Sequence, residues 1–221
     1  MKELIIFGIT PFSKLVEETI RHDKKNRVAA FCVNEAFLPE KKELNNIPIV
    51  SFEKLNQLYG KDNFEILITV GYKNMNENRR KIFSLCDDKQ YSIASYIHSS
   101  VRYDQVNLGR GNIILQDCIL HRNTEIGEGN IFVDNTTIGH ETTIGNFNFF
   151  AGMATGGLVS IGSFCFLGMK SLICQECSVG DYTLLGAGTI LSKDSEPHTV
   201  IMPAANRTLK MNTDAMNTLL I

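Results

Sequence analysis

Residues 138–145 read IGHETTIG and place a histidine, His140, directly before a carboxylate, Glu141. Imidazole changes charge near neutral pH, so it can take a proton from an attacking amine or hydroxyl. A neighbouring carboxylate can hold the ring and offset the positive charge it gains. That is the pairing acyl transfer needs, although two solvated polar residues at a turn would read the same way. A second short pattern, Cys174 and Cys177, forms C-x-x-C, a spacing that can serve metal or redox chemistry. The histidines at 22, 98, 121, 140 and 198 show no i, i+5 pair, so no metal site is expected.

The elements that would position His140 come from a repeat of period six. From Leu108 onward an apolar residue recurs at Ile114, Leu120, Ile126, Phe132, Ile138, Ile144 and Phe150. After one unit a residue short, the register resumes at Thr155 and continues through Ile161, Leu167, Ile173, Val179 and Leu185. The second slot is often glycine. The fifth holds small or compact residues, among them Asn112, Cys118, Thr124, Asn130, Thr136, Thr142, Asn148, Ala154, Cys165 and Cys177. A fixed hexapeptide period marks a parallel β-helix, in which each coil buries its inward side chains against the next. Cys177 falls in the interior slot, so packing explains the C-x-x-C pair better than metal binding does. His140 and Glu141 occupy the third and fourth slots, which face outward or form corners. Phe149 and Phe150 stand side by side, and only Phe150 is needed inside, so Phe149 is a candidate interface or ligand-wall residue.

The first part of the chain has a different rhythm. ELIIFG (3–8), RVAAFCV (27–33), IPIV (47–50) and FEILITV (64–70) read as buried strands, separated by helical patterns such as FSKLVEETIRHD and NENRRKIFSLCDD. Strands alternating with helices predict a small parallel α/β sheet. Two domains follow, an α/β unit over residues 1–97 and a β-helix with a C-terminal tail over 98–221.

Composition excludes several classes of function. Twenty-two basic against 24 acidic residues give a net charge of −2 without a basic stripe, so nucleic acid is not an expected partner. The apolar run at the N-terminus is too short for a signal-peptide core or a membrane span. Six cysteines without a secretory signal suggest reduced thiols and a cytoplasmic protein.

The whole chain resembles the sialic-acid O-acetyltransferase (NeuD-like) group of hexapeptide-repeat sugar acyltransferases. That group includes bacterial N-acetyltransferases acting on nucleotide-linked 4-amino sugars. The likeness is carried by IPIVSFEKL, VGYKNMNENRRKIF, YSIASYIHSS, IGHETTIG and SIGSFCFLGMKSLI. It implies a Rossmann-like N-terminal domain, a left-handed β-helix, and a homotrimer with acetyl-CoA along the groove between neighbouring prisms. It further implies that His140 is the general base, Glu141 its orienting partner and the Gly157 N–H an oxyanion donor. Cofactor contacts are implied at Phe149, Gly168, Gly186, Ala187, Lys193 and Arg207. No metal is implied.

The resemblance also places a nucleotide-sugar on the N-terminal domain. Gly8, Thr10 and Ser13 would sit at its phosphates, Asn34 and Glu35 at its base or ribose, and Tyr72, Asn76 and Arg79 beyond the last strand. The carboxyl ends of parallel strands are where such sheets bind ligands. Two departures stand out. FGITPFSK keeps Gly8 but lacks G-x-G-x-x-G, which argues against a dinucleotide oxidoreductase. Relatives carry a second histidine nine residues after the first, where this chain has Phe149. Acetyl transfer to a sugar amine is the expected reaction. The alternatives are transfer to a sugar hydroxyl and a non-catalytic scaffold that binds nucleotide-sugars.

Overall fold

A computed structural model of the chain describes residues 3–24 and 26–205. Its N-terminal part is a five-stranded sheet built from β1 (Glu3–Phe7), β2 (Val28–Val33), β3 (Glu43–Leu44), β4 (Ile47–Ser51) and β5 (Phe64–Ile68), in the order β3-β4-β2-β1-β5. All pairings are parallel except β3 with β4, a short antiparallel edge not expected from the sequence. Helices α1 (Pro11–Asp23), α2 (Leu55–Tyr59) and α3 (Glu77–Asp88) supply the crossovers. Helix α1 begins where Pro11 cannot donate a backbone hydrogen bond, and Thr10 with Ser13 closes a capping box over its first turn. Because β2 and β5 flank β1 on opposite sides, the connections leaving β1 and entering β5 diverge there. That divergence opens a crevice at the carboxyl ends of the strands.

The remainder is a three-faced stack of parallel sheets. The first face carries strands such as Ile119–Leu120 and Thr137–Ile138, the second Thr143–Ile144, and the third Tyr96–Ile97, Ile131–Phe132 and Phe149–Phe150. Residue 119 pairs with 137 and 131 with 149, an offset of one 18-residue coil. The short unit appears as a register of Thr137 against Ala154, one residue less. This arrangement fits a left-handed β-helix following an α/β domain. At the shortened coil Ala154 points outward, opposite Thr137, and Met153 fills the interior slot at 2% exposure. Losing a residue moves the inward position back by one, which corrects the expectation for Ala154.

The interior is a set of ladders. Phe132 and Phe150 stack with ring centroids 4.4 Å apart and planes 4° from parallel. Beside them, Asn112, Asn130 and Asn148 are fully buried, each side-chain oxygen accepting from the backbone N–H one coil further on at 2.7–2.9 Å. Satisfied amides of this kind tolerate burial where isolated ones would not. Truncating Phe150 to alanine would leave a cavity beneath Phe132. The expected loss is about 3–5 kcal/mol of stability, read by chemical denaturation. A loss below about 1 kcal/mol would contradict the assignment of Phe150 to a closed interior.

The two parts share a core. Outward residues of the third face, Ile113, Ile131 and Phe149, pack with Leu4, Ile6, Val16 and Phe31 of the α/β sheet. The second face instead presents Glu125, Thr143 and Ser160, and it is the third face that the N-terminal domain covers. Asp23 at the end of α1 ties the junction together, accepting from Tyr96 Oη at 3.0 Å and from Ser99 N at 3.2 Å. Burial pushes the Asp23 carboxyl up, but these hydrogen bonds outweigh it and hold the group below the usual carboxylate range.

Candidate active site

His140 stands on the prism edge between the first and second faces, just past the strand Thr137–Ile138. One residue on, Glu141 turns the corner in a left-handed conformation with φ 53°. Glu141 Oε1 lies 3.5 Å from His140 Nδ1. A proton on Nδ1 would face that carboxylate and would leave the Nε2 lone pair free. Both side chains are about half exposed, so substrate can reach them. Together with Val101, Arg102, Tyr103, Asp104, His121 and Arg122, His140 helps to line an open groove of ≈ 580 Å³.

Gly157 lies one coil above on the same edge. Any side chain there would overlap the imidazole, since an added Cβ would meet Nε2, Cε1 and Cδ2 of His140. The ring therefore lies flat against the Gly157 backbone. Gly157 O accepts from Glu176 N at 3.1 Å, while its N–H donates to no group among the described residues. The corner amides of Arg122 and His140 are unpaired in the same way, so the free donor is a property of this edge. At Gly157 that donor belongs to the residue against which the His140 ring is seated. A base and an unspent donor side by side can deprotonate a nucleophile and stabilise an oxyanion.

The crevice of the N-terminal sheet forms a second cavity, of ≈ 300 Å³, lined by Gly8, Thr10, Phe12, Thr69, Tyr72 and Lys73 among others. Gly8 is required there on two counts. Its φ is 128°, and a Cβ would collide with Ser13 and Thr69. Asn34 follows β2 and holds a buried Oδ1 without a hydrogen-bond partner among the described residues. Its neighbour Glu35 is exposed and bonded to Lys54 Nζ at 2.6 Å. Neither residue lines the crevice cavity.

Several sequence expectations need correction. Ser13 is fully buried and spent on capping: its Oγ accepts from Thr10 N at 3.1 Å and lies 2.8 Å from Thr69 Oγ1. Neither the Ser13 hydroxyl nor the Thr10 amide is left for a phosphate, and Gly8 N is committed to Cys32 O. Phe149 is not a cofactor wall. It is 6% exposed, with Tyr72 at 5.0 Å and Phe12 at 6.1 Å between ring centroids, because the third face is covered by this chain's own N-terminal domain. Asn76 and Arg79 have no exposure either. The expected cofactor residues divide between two prism edges. Gly168, Gly186 and Ala187 follow strands of the third face, whereas Lys193 follows Ile190–Leu191 of the first, on the His140 edge. Arg207 lies outside the described residues.

No protein-family model and no curated protein sequence matches the chain. Solved structures do. The acetyltransferase domain of PglB from Neisseria gonorrhoeae aligns with a TM-score of 0.81 at 18% identity, over 92% of this chain and 97% of that one. The same domain in complex with acetyl coenzyme A gives 0.80. WeeI from Acinetobacter baumannii gives 0.79 at 20% identity, over 92% and 97% of the two chains. PerB from Caulobacter crescentus, in complex with CoA and GDP-perosamine, gives 0.71 at 20% identity, over 92% and 95%. The chain has the fold of these proteins.

Within that fold, some site residues went unread in the sequence. Arg122 precedes His140 by one 18-residue coil and Asp104 precedes Arg122 by another, and the two are ion-paired at 3.0 Å. Counting back along the repeat from His140 would have found both. Lys73 and Asn78 at the crevice carried no such signal, because their loop follows no period. Among the described residues, no three His, Cys, Asp or Glu side chains are grouped to hold a metal ion, and no helix is long and apolar enough to cross a membrane.

Proposed function

We propose that the protein is a cytoplasmic acetyltransferase that moves an acetyl group from acetyl-CoA to the amine of a nucleotide-linked amino-deoxy-sugar. The observation that carries this reading is the seating of the His140 ring against Gly157, with Glu141 on the opposite ring nitrogen. It occurs in the fold of proteins solved with acetyl-CoA and with a GDP-linked amino sugar.

In this reading acetyl-CoA supplies the acyl group as a thioester. His140 Nε2 takes a proton from the sugar amine as the nitrogen attacks the thioester carbonyl. Glu141 holds the ring and offsets the charge on it, and the Gly157 N–H stabilises the oxyanion. CoA leaves as the thiol, and no covalent enzyme intermediate is needed. The crevice at Gly8, Thr69 and Tyr72, a Rossmann-like ligand position, would take the nucleotide.

We further propose a homotrimer. His140 faces away from the crevice of its own chain, on the edge opposite the covered third face. A neighbouring copy must then bring its crevice to this histidine. Leu172 and Ile190, exposed on the first face, are apolar positions such an interface would cover.

The test is thiol release from acetyl-CoA with UDP-, GDP- and dTDP-linked 4-amino sugars, and with the same nucleotides carrying only hydroxyls. Release with an amino sugar supports the reading. Release only with hydroxyl acceptors would replace N- by O-acetylation, and release with neither would leave a non-catalytic binding scaffold.

A further inference from the structure

Arg79 is completely buried, and no carboxylate is in ion-pair range among the described residues. Its five N–H groups are nevertheless all used. Nε donates to Gly129 O at 2.7 Å, Nη1 to Val70 O at 3.1 Å and Gly71 O at 3.3 Å, and Nη2 to Asn76 Oδ1 at 3.0 Å and Asn148 O at 3.1 Å. Burial pushes its pKa down to about 9, which still leaves it charged at neutral pH. A buried cation is costly, and one that serves only packing would be replaced by an apolar side chain with little loss.

The acceptors show what the charge is spent on. Gly129 and Asn148 belong to successive coils of the β-helix, whereas Val70 and Gly71 are crevice wall. Asn76 adds a second tie, donating through Nδ2 to Cys165 O at 3.1 Å on the next coil. Between these ties the backbone is strained. Asn74, Met75 and Asn76 are three successive non-glycine residues in the left-handed region, with φ of 56°, 43° and 65°. A run of that kind persists only where its surroundings over-determine it.

We infer that Arg79 and Asn76 are positioning residues that clamp the strained loop 70–76 onto the β-helix, and so preform the crevice wall that receives the nucleotide of the acceptor. This inference rests on the reading of the crevice as the acceptor site. Neither residue touches the ligand. Both act by holding Gly71, Tyr72 and Lys73 in place, and without them the wall samples conformations that do not bind. If only about a tenth of molecules keep the wall formed, the apparent dissociation constant rises about tenfold.

The decisive variants are Asn76→Gly, which keeps the left-handed backbone but removes both side-chain ties, and the pair Arg79→Lys and Arg79→Met. UDP and GDP binding to the full-length protein would be measured by calorimetry, alongside KM for the amino-sugar acceptor, KM for acetyl-CoA, kcat and the thermal midpoint. The expected result for Asn76→Gly is a rise of about tenfold in nucleotide Kd and acceptor KM. The acetyl-CoA KM and kcat should stay near native, while the thermal midpoint should fall by about 2–4 °C, because a buried Arg79 N–H and the Cys165 carbonyl each lose a partner. Arg79→Lys should fall between native and Arg79→Met. Native-like nucleotide affinity in Asn76→Gly would overturn the clamp while leaving the crevice assignment intact. A native protein that binds neither nucleotide would overturn the crevice assignment, and the clamp with it.

Discussion

His140→Ala should lower kcat/KM for acetyl transfer by about 10²–10⁴-fold, the range a positioned general base supplies. Folding should be untouched. The side chain is half exposed, sits on a prism edge and makes no contact with the buried ladders. The comparison therefore needs both a rate and a denaturation midpoint. Loss of rate at an unchanged midpoint assigns the base. A rate within a few-fold of native would mean that the proton leaves by another route, and that the pair at 140 and 141 is surface decoration. Glu141→Gln should fall between the two, since the amide can still accept from Nδ1 but cannot offset the charge on the ring.

Gly157→Ala is expected to be nearly as damaging, for a reason visible only in three dimensions. The added methyl group would occupy the space of the His140 ring, and the ring is free to yield because solvent lies behind it. The imidazole should swing away, and displacement of a reacting group by about 1 Å costs about 10²-fold in rate. Stability should barely change. Gly139→Ala makes the contrast, because there the methyl would collide with the backbone of Gly156 and Gly157, which cannot move without opening the coil. One substitution should cost activity and the other folding. If Gly157→Ala retained native activity, the ring could not depend on that glycine for its seat.

The β-helix was legible because its constraint is periodic. A narrow interior admits a large residue in one slot and a compact one in another, and each coil repeats the demand, so Phe132, Phe150, Asn130 and Asn148 announce themselves by spacing. The single fault, Ala154 for Met153, arose where one residue is missing and the period gives no rule for absorbing the loss. The third face was legible in principle. Ile113, Ile131 and Phe149 are outward and apolar at coil spacing, whereas the second face carries Glu125, Thr143 and Ser160. A covering layer had to exist, but the sequence could not say whether it was a cofactor, a second copy or the chain's own first domain.

Asn76 and Arg79 were harder to place, because a charged residue after a strand end reads as a ligand contact. Only the fold shows that backbone carbonyls of the β-helix converge on that guanidinium. Ser13 misled for a similar reason. A hydroxyl at a helix start serves a phosphate or a cap equally well, and here the cap takes it.

The most direct measurement supplies acetyl-CoA labelled at the carbonyl carbon and follows the label by NMR through one turnover with a nucleotide-linked amino sugar. The predicted result is that the label appears as a sugar amide with native protein and not with His140→Ala. Label that stays on CoA with every amino sugar tried, or that reaches the amine equally fast in the variant, would contradict it.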